Sequence, residues 1–551
     1  MSTEATQRMD KPKAVPQQSL AKASGSMAIA TLASRVTGFL SRIVLVIVVG
    51  AGVISDSYQV SQTIPLQVYE LLLGGVLTSI IVPLLVRAQK DDEDGGEAYT
   101  QRLMTMAPVI LLAATVVMVL AAPWLTSIYV DGSGTSKAQP ELVTAFAYLL
   151  LPEIVFFGLS ALFTAILNAR GVFGLPAWAP VMNNVVVLLT FGVYALVPGD
   201  PTINPLAMSD PKLLVLGIGT TLGIVIQALV VIPAMRKAGI RFKWRWGWDR
   251  RLAEFGSLAG WMLVYVVLGL VGVIVVTRIA TAANQGSMTA YNLAWQLFQL
   301  PYGIIGFSLL TAIMPRMSKA AADNDFRGVV ADLSLGSRLL VAILLPLSVG
   351  MTALGTHLGI ALFAYGKTPV HTAALIGTTL AVSAFGLVPY AITMMQLRVF
   401  YSMKDARTPA ALQLLTVLVK VGLSVLCVQV LKDDTMVLGL AFVNSMSFLV
   451  GAIAGNIWLR VRLGRLETGR LGRTFGLTLV GSLLGAVTVV LVHTAVLEFA
   501  PIGTSPRLVA WIVVVLGSAL GLAVAFGSMV LLRVTELNPA MSRITRLLRR
   551  R

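Results

Sequence analysis

The segment ASRVTGFLSR places Arg35 and Arg42 inside an apolar run long enough to cross a bilayer. A charge at the bilayer centre costs about 2.5–3.5 kcal/mol on insertion scales, so an ionisable residue there marks function first. Glu70, Glu153, Arg278 and Lys420 lie in other apolar runs, and Asp56 sits just past the first, expected at the outer surface. Seven residues separate Arg35 from Arg42. On a helix that spacing offsets them by about 20° around the axis and about 10 Å along it. They form one cationic stripe, which should face an interior rather than lipid. Guanidinium forks match phosphate or diphosphate better than a halide. If Arg278 and Lys420 converge with them, the resulting cavity is positive and its substrate is an anion.

Each charge has a second reading. Arg35 and Arg42 can be ion-pair partners of Glu70, which then serves only as their counter-ion. Arg278 lies near enough to a helix end to snorkel. Glu153 follows Pro152, where an irregular helix leaves backbone groups to satisfy, and it suits a coupling cation equally. No enzyme signal accompanies these residues. His357, His371 and His493 lack metal-ligand spacing, and the single Cys427 offers neither a disulfide framework nor a thiolate site. There is no G-x-x-x-x-G-K-[ST] loop, and GLSALFTAIL holds no nucleophile elbow. The Gly74-Gly75 pair reads as close helix packing. No catalytic residue, metal or cofactor is expected, with membrane potential or a coupling ion left as the energy source.

The elements that must position these charges are membrane helices. The chain has 551 residues, 56% hydrophobic and 12% charged, with mean hydropathy +0.83. A soluble protein could not hide that much apolar surface, so the class is a polytopic all-α membrane protein. Apolar runs predict fourteen spans, among them 338–363 and 372–398, each as one helix. With the N-terminus inside, 33 of the 42 Lys and Arg fall on cytoplasmic segments and five on the opposite loops: Lys137, Lys212, Lys367, Lys432 and Arg507. That bias fixes both termini as cytoplasmic and accounts for the formal charge of +17 without nucleic acid. The basic, aromatic stretch RKAGIRFKWRWGWDRR (236–251) then reads as a loop touching anionic membrane lipids.

Two pairs of motifs recur at one period. ILNARGVFGLPAWAPVMNNVV and VFYSMKDARTPAALQLLTVLV place Pro176 and Pro409 233 residues apart, and VLTSIIVP and SLLTAIMP place Pro83 and Pro315 232 apart. A duplicated six-helix unit explains both, giving two parallel lobes related by an axis along the membrane normal. The expected organisation is a disordered cytoplasmic tail (1–24), a first lobe of spans 1–6 (25–236), a basic linker (237–252), a second lobe of spans 7–12 (253–462), two further spans (463–533) and a basic tail (534–551). Two such lobes suit an alternating-access transporter binding substrate between them.

ASRVTGFLSR, VVGAGVISDSY (48–58), AILNARGVFGLPAWAP (165–180), LPYGIIGFSLLTAIMPRMSK (300–319), LFAYGKTP (362–369) and FYSMKDARTP (400–409) occur in the order of the MurJ/MviN family. The chain resembles these lipid II flippases of the MOP transporter superfamily, in an actinobacterial-type form. The resemblance implies a central cationic cavity, roles in flipping for Arg35 and Asp56, and a groove at spans 13 and 14 for a prenyl tail. It implies lipid II, the undecaprenyl-diphosphate-linked muropeptide, as substrate, with membrane lipids and cell-wall synthesis proteins as partners. Three family cations are moved or lost: Arg42 stands one residue out of register, Tyr69-Glu70 replaces paired arginines, and Gln296 replaces an arginine. Arg42, Arg278 and Lys420 are the candidates to substitute for them. The rival readings are a MATE-like drug/cation antiporter or another lipid-linked oligosaccharide flippase of the superfamily, and a non-transporting scaffold for cell-wall enzymes.

Overall fold

The computed structural model describes residues 17–71, 81–130, 140–199, 210–247, 256–499, 501 and 503–537. Gly74-Gly75, Lys137, the first 16 residues of the expected tail, residues 248–252 of the linker and the end of the chain from 538 lie outside them. Among the described residues every regular element is helical, as a bilayer demands, because a helix satisfies its own backbone hydrogen bonds.

The described helices group in order into fourteen units. The first lobe holds α1 (Gln17–Val48), α2 (Val53–Leu71, described again over Val82–Asp91), α3 (Glu97–Leu120 with Ala122–Tyr129), α4 (Pro140–Leu150 with Glu153–Ala169), α5 (Gly174–Leu196) and α6 (Pro211–Leu229 with Ile232–Lys237). The second holds α7 (Gly256–Ala282), α8 (Ser287–Pro301, a π-helical turn Tyr302–Gly306, then Phe307–Ala322) and α9 (Phe326–Phe363). It continues with α10 (Val370–Ser383, a 3₁₀ turn Ala384–Gly386, then Leu387–Ser402), α11 (Arg407–Val430) and α12 (Asp433–Leu463). Last come α13 (Thr468–Phe499) and α14 (Pro506–Leu531). Thirteen are long and apolar enough to cross a bilayer as described; residues 72–80, between the two pieces given for α2, lie outside the described residues.

The expected boundaries shift where apolarity and hydrogen bonding part company. Helix α1 is already helical at Gln17, the first described residue, inside the tail expected to be disordered, and α9 begins at Phe326 rather than 338. An apolar run ends at the membrane edge, whereas the backbone ladder continues into water until a cap stops it. At α9 the cap is Asp325, whose carboxylate accepts from the Gly328 amide at 2.9 Å. The tenth span, expected as one helix, changes to a 3₁₀ turn at Ala384–Gly386.

The packing repeats with a shift of six. In the first lobe α1 lies on α5, α5 on α6, α2 on α4, α3 on α4 and α4 on α6; α7 on α11, α11 on α12, α8 on α10, α9 on α10 and α10 on α12 reproduce the set. Pro176 and Pro409 are each the third residue of equivalent helices, α5 and α11. The break of α4 at Leu151-Pro152 and that of α10 fall on equivalent spans. Helices α13 and α14 pack on each other and on α9.

One face of the bundle carries the loops that follow the even-numbered helices, including 92–96, 170–173, 238–247 and 403–406; the first of these is acidic, while the others carry Arg170, Arg241, Lys243, Arg245 and Lys404. On the opposite face the lobes meet along an apolar seam in which Val60, Ile64 and Val143 of the first lobe cluster with Val276, Ala280 and Leu440 of the second.

Candidate functional site: an arginine-lined cavity between the lobes

Helices α1, α2, α4 and α5 of the first lobe and α8 of the second enclose a cavity of about 770 Å³. Arg35, Arg42, Glu70 and Gln296 all line it. The seven-residue stripe therefore does face an interior. Among the described residues neither arginine forms an ion pair with Glu70. Arg42 instead donates to Gln62 Oε1 at 2.9 Å, and Arg35 Nε is buried with no hydrogen-bond partner. Two guanidinium groups, one of them under-satisfied, are what an incoming anion needs.

Neighbouring helices fix this geometry. Asn184 of α5 donates to the Ser34 carbonyl and to Thr37 Oγ1 of α1, at 2.8 and 3.0 Å, holding α1 on either side of Arg35. The Arg35 guanidinium lies against Gly303 in the π-helical turn of α8, where a Cβ would stand 2.2 Å from Nη1. Gln59, Gln62, Asn183, Asn292 and Gln299 supply further polar groups to the walls. Sequence reasoning missed these because a neutral amide in an apolar helix stands out far less than a charge. In the second lobe, Trp295, Phe298, Tyr390 and Phe448 pack ring against ring, with centroids 4.9–6.3 Å apart. The polar space is therefore confined to the first-lobe side.

The other predicted residues do not line the cavity. Asp56 is buried, not at the outer surface, and closes the opposite face. Its carboxylate accepts from the Gly286 amide at 2.7 Å, the Thr289 amide at 2.8 Å and Thr289 Oγ1 at 2.6 Å. Helix α8 begins there without a side-chain cap of its own, so Asp56 caps it from the other lobe and meets the positive end of its dipole. Gln59 adds a bond to Thr289 Oγ1 at 3.0 Å, and across the same face Lys367 N donates to Ile47 O at 3.1 Å and Thr368 Oγ1 to Val46 O at 2.8 Å. Glu153 is fully buried behind the cavity. Lys420 belongs to the second lobe, 5.7 Å from the Phe448 ring centroid with its stem against Gly272. Arg278 is exposed on α7. The convergence of four cations is thus replaced by convergence of two. His357 and His493, far apart in sequence, meet across α9 and α13 with ring centroids 4.6 Å apart. Among the described residues no three His, Cys, Asp or Glu side chains gather to hold a metal.

A second, apolar groove of about 100 Å³ runs between α9, α13 and α14, lined by Leu347, Leu354, Leu358, Val489 and Leu522 and widened by Gly485, Gly517 and Gly521.

The family model described as lipid II flippase MurJ matches residues 45–514. The chain belongs to the MurJ lipid II flippase family. The lipid II flippase MurJ of Burkholderia cenocepacia is 27% identical over 413 residues, covering 73% of this chain and 75% of that protein. A solved MurJ in an inward closed conformation superposes with a TM-score of 0.73 at 18% identity, covering 92% of this chain and 98% of that one. A MOP superfamily transporter from Pyrococcus furiosus gives 0.59 at 16% identity over 81% and 96%. The MurJ match spans both lobes and α13, and it reaches into α14. It begins after Arg42, so the stripe stands on its own geometry.

Proposed function

We propose that this MurJ family member moves lipid II from the cytoplasmic to the outer leaflet by alternating access, breaking no bond. The observation that carries the reading is Arg35 and Arg42 lining one polar cavity, unpaired with Glu70, with the opposite face closed. The diphosphate of lipid II is the anion that two guanidinium forks suit. The excess of cationic loops puts the basic face, with both termini, in the cytoplasm, so the conformation described is inward-facing. Asp56 acts as part of the outer latch, and the prenyl chain follows the groove between α9, α13 and α14 while the head group crosses inside. Rocking of the lobes then breaks the Asp56 and Lys367 ties and opens the outer side. An inside-negative potential helps return an empty cationic cavity, by about 2.3 kcal/mol per charge per 100 mV of full transit.

Membrane lipids take part at the linker. Residues 240–247 form no regular element and are tied by the Arg245 amide to Thr105 Oγ1 at 3.0 Å. Phe242, Trp244 and Trp246 alternate there with Arg241, Lys243 and Arg245, all exposed, a pattern suited to anionic headgroups. The exposed basic-face loops are also where cell-wall synthesis proteins would dock.

Charge reversal tests the reading. In a strain depleted of its own flippase, Arg35→Glu should abolish lipid II translocation while membrane insertion and abundance stay normal. Unchanged translocation removes Arg35 from the site. Function retained in a cavity-blocked variant would favour a scaffold instead.

A further inference from the structure

We infer that Glu153 is a proton-binding site whose occupancy is linked to anion binding at Arg42, an inference that rests on the cavity being the diphosphate site. Glu153 opens the second half of α4, just after the break at Leu151-Pro152, and has no exposed surface. Its Oε2 has no hydrogen-bond partner, and its Oε1 lies 3.4 Å from Thr221 Oγ1 on α6. The Thr221 hydroxyl has one proton, and it is already given to the Leu149 carbonyl at 2.7 Å. Only a proton on Glu153 turns the Glu153–Thr221 contact into a hydrogen bond. An ionised carboxylate here would keep its acceptor sites empty in a dry interior, the costly arrangement, whereas the neutral acid needs a single acceptor and has one. The pocket is built for the protonated form.

What makes the proton functional is its neighbour. Arg42 of α1 is the charge that acts on Glu153; Tyr58 of α2 lines the cavity with Arg42 and is hydrogen-bonded at 2.9 Å to Thr220, the neighbour of the Thr221 that Glu153 touches. Helix α6 presents the neutral Thr220 and Thr221, and α3 an uncharged stretch from Met104 to Leu120. Arg42 also lines the cavity, so Glu153 and the incoming diphosphate share one cation. While Arg42 is bare, its charge favours ionised Glu153. Once a diphosphate occupies it, that support is cancelled and Glu153 takes up a proton. The proton offsets part of the negative charge brought into a low-dielectric interior. By reciprocity, proton binding strengthens anion binding to the same degree.

The test uses the full-length protein in lipid nanodiscs and a short-chain prenyl diphosphate–sugar diester, whose phosphates do not titrate near neutrality. Wild-type affinity should weaken as pH rises, by up to about tenfold per pH unit, the slope of one linked proton. Glu153→Gln, fixed in the neutral form, should bind at every pH with that slope removed. Infrared difference spectra of the unliganded protein should show a protonated-carboxyl band that titrates in wild type and is missing in Glu153→Gln. Thr221→Val, which removes the acceptor, should move that titration to lower pH, giving a second variant should Glu153→Gln fail to fold. A Glu153→Gln protein that keeps the wild-type pH slope and carboxyl band overturns the inference. If the diester fails to bind wild type, the flippase reading of the cavity falls, and the infrared titration still decides whether Glu153 holds the proton.

Discussion

At the scale of single residues, the position of Arg35 depends on an absent side chain. Gly303 lets the guanidinium rest against the π-helical turn of α8, and a methyl group there would overlap Nη1. The clashing atoms are the flexible end of an arginine, so Gly303→Ala should displace the guanidinium rather than disturb the fold. Losing one charge-assisted hydrogen bond is worth about 1.5–3 kcal/mol, so affinity for a diphosphate diester should fall roughly tenfold to a hundredfold at unchanged thermal stability. Gly422→Ala on α11, with open space around it, is the control and should bind as wild type. Wild-type affinity in Gly303→Ala would show that Arg35 is placed by something else. The stripe itself was legible in the sequence, because seven residues is nearly two helical turns and charge in an apolar run cannot be overlooked. Its hydrogen-bonded surroundings were not: the pairing of Arg42 with Gln62 and the anchoring of α1 by Asn184 depend on which helices become neighbours.

At the scale of elements, periodicity and charge bias revealed the helices and their duplication, while caps and interruptions came from local chemistry that apolarity does not report. The turn between α10 and α11 shows the difference. Asp405 accepts from the Arg407 and Thr408 amides at 3.0 and 3.1 Å and from Thr408 Oγ1 at 2.7 Å, and it pairs with Arg462 of α12. The equivalent turn of the first lobe, Arg170 to Phe173, has no acid, so this tie belongs to the second lobe alone. Partial burial pushes the Asp405 carboxyl up, but the Thr408 hydroxyl and amide, Arg462 and the Arg407 amide outweigh it and hold it below the usual carboxylate value. A carboxyl lowered on folding contributes stability that is complete above its unfolded value, about 3.9, and is lost as pH falls through the lower folded value. Asp405→Ala should therefore cost about 1–2 kcal/mol at neutral pH, as loss of a helix cap does. In thermal unfolding its deficit relative to wild type should close in strong acid. A deficit independent of pH would assign the effect to packing instead of charge.

At the scale of the whole molecule, the two lobes were readable as a repeat, yet the way they touch was not. The contacts that shut the opposite face join residues far apart in the chain, Asp56 to Gly286 and Thr289, and Ile47 to Lys367. Nothing local in the sequence marks such pairs, which is why Asp56 reads as a surface residue until its partners are seen. Glycine makes the approach close: at Gly286, with φ +83°, an added Cβ would stand only 3.0 Å from the Ala51 carbonyl oxygen. If transport opens this seam in every cycle, a covalent bond across it must stop transport without touching the cavity. The Cβ of Ala51 and a Cβ placed on Gly286 lie 3.7 Å apart, inside the roughly 3.5–4.5 Å that a disulfide bridges. In a background where the native thiol is removed by Cys427→Ser, the pair Ala51→Cys and Gly286→Cys should support lipid II translocation when reduced, lose it on oxidation and recover it with dithiothreitol. The reduced pair controls for the strain of a side chain at positive φ. Because the cross-link lies away from the cavity that Arg35 and Arg42 line, the oxidised protein should still bind a diphosphate diester. Translocation at the reduced rate after complete cross-linking would mean that the lobes do not part at Asp56, and alternating access through this seam would have to be abandoned.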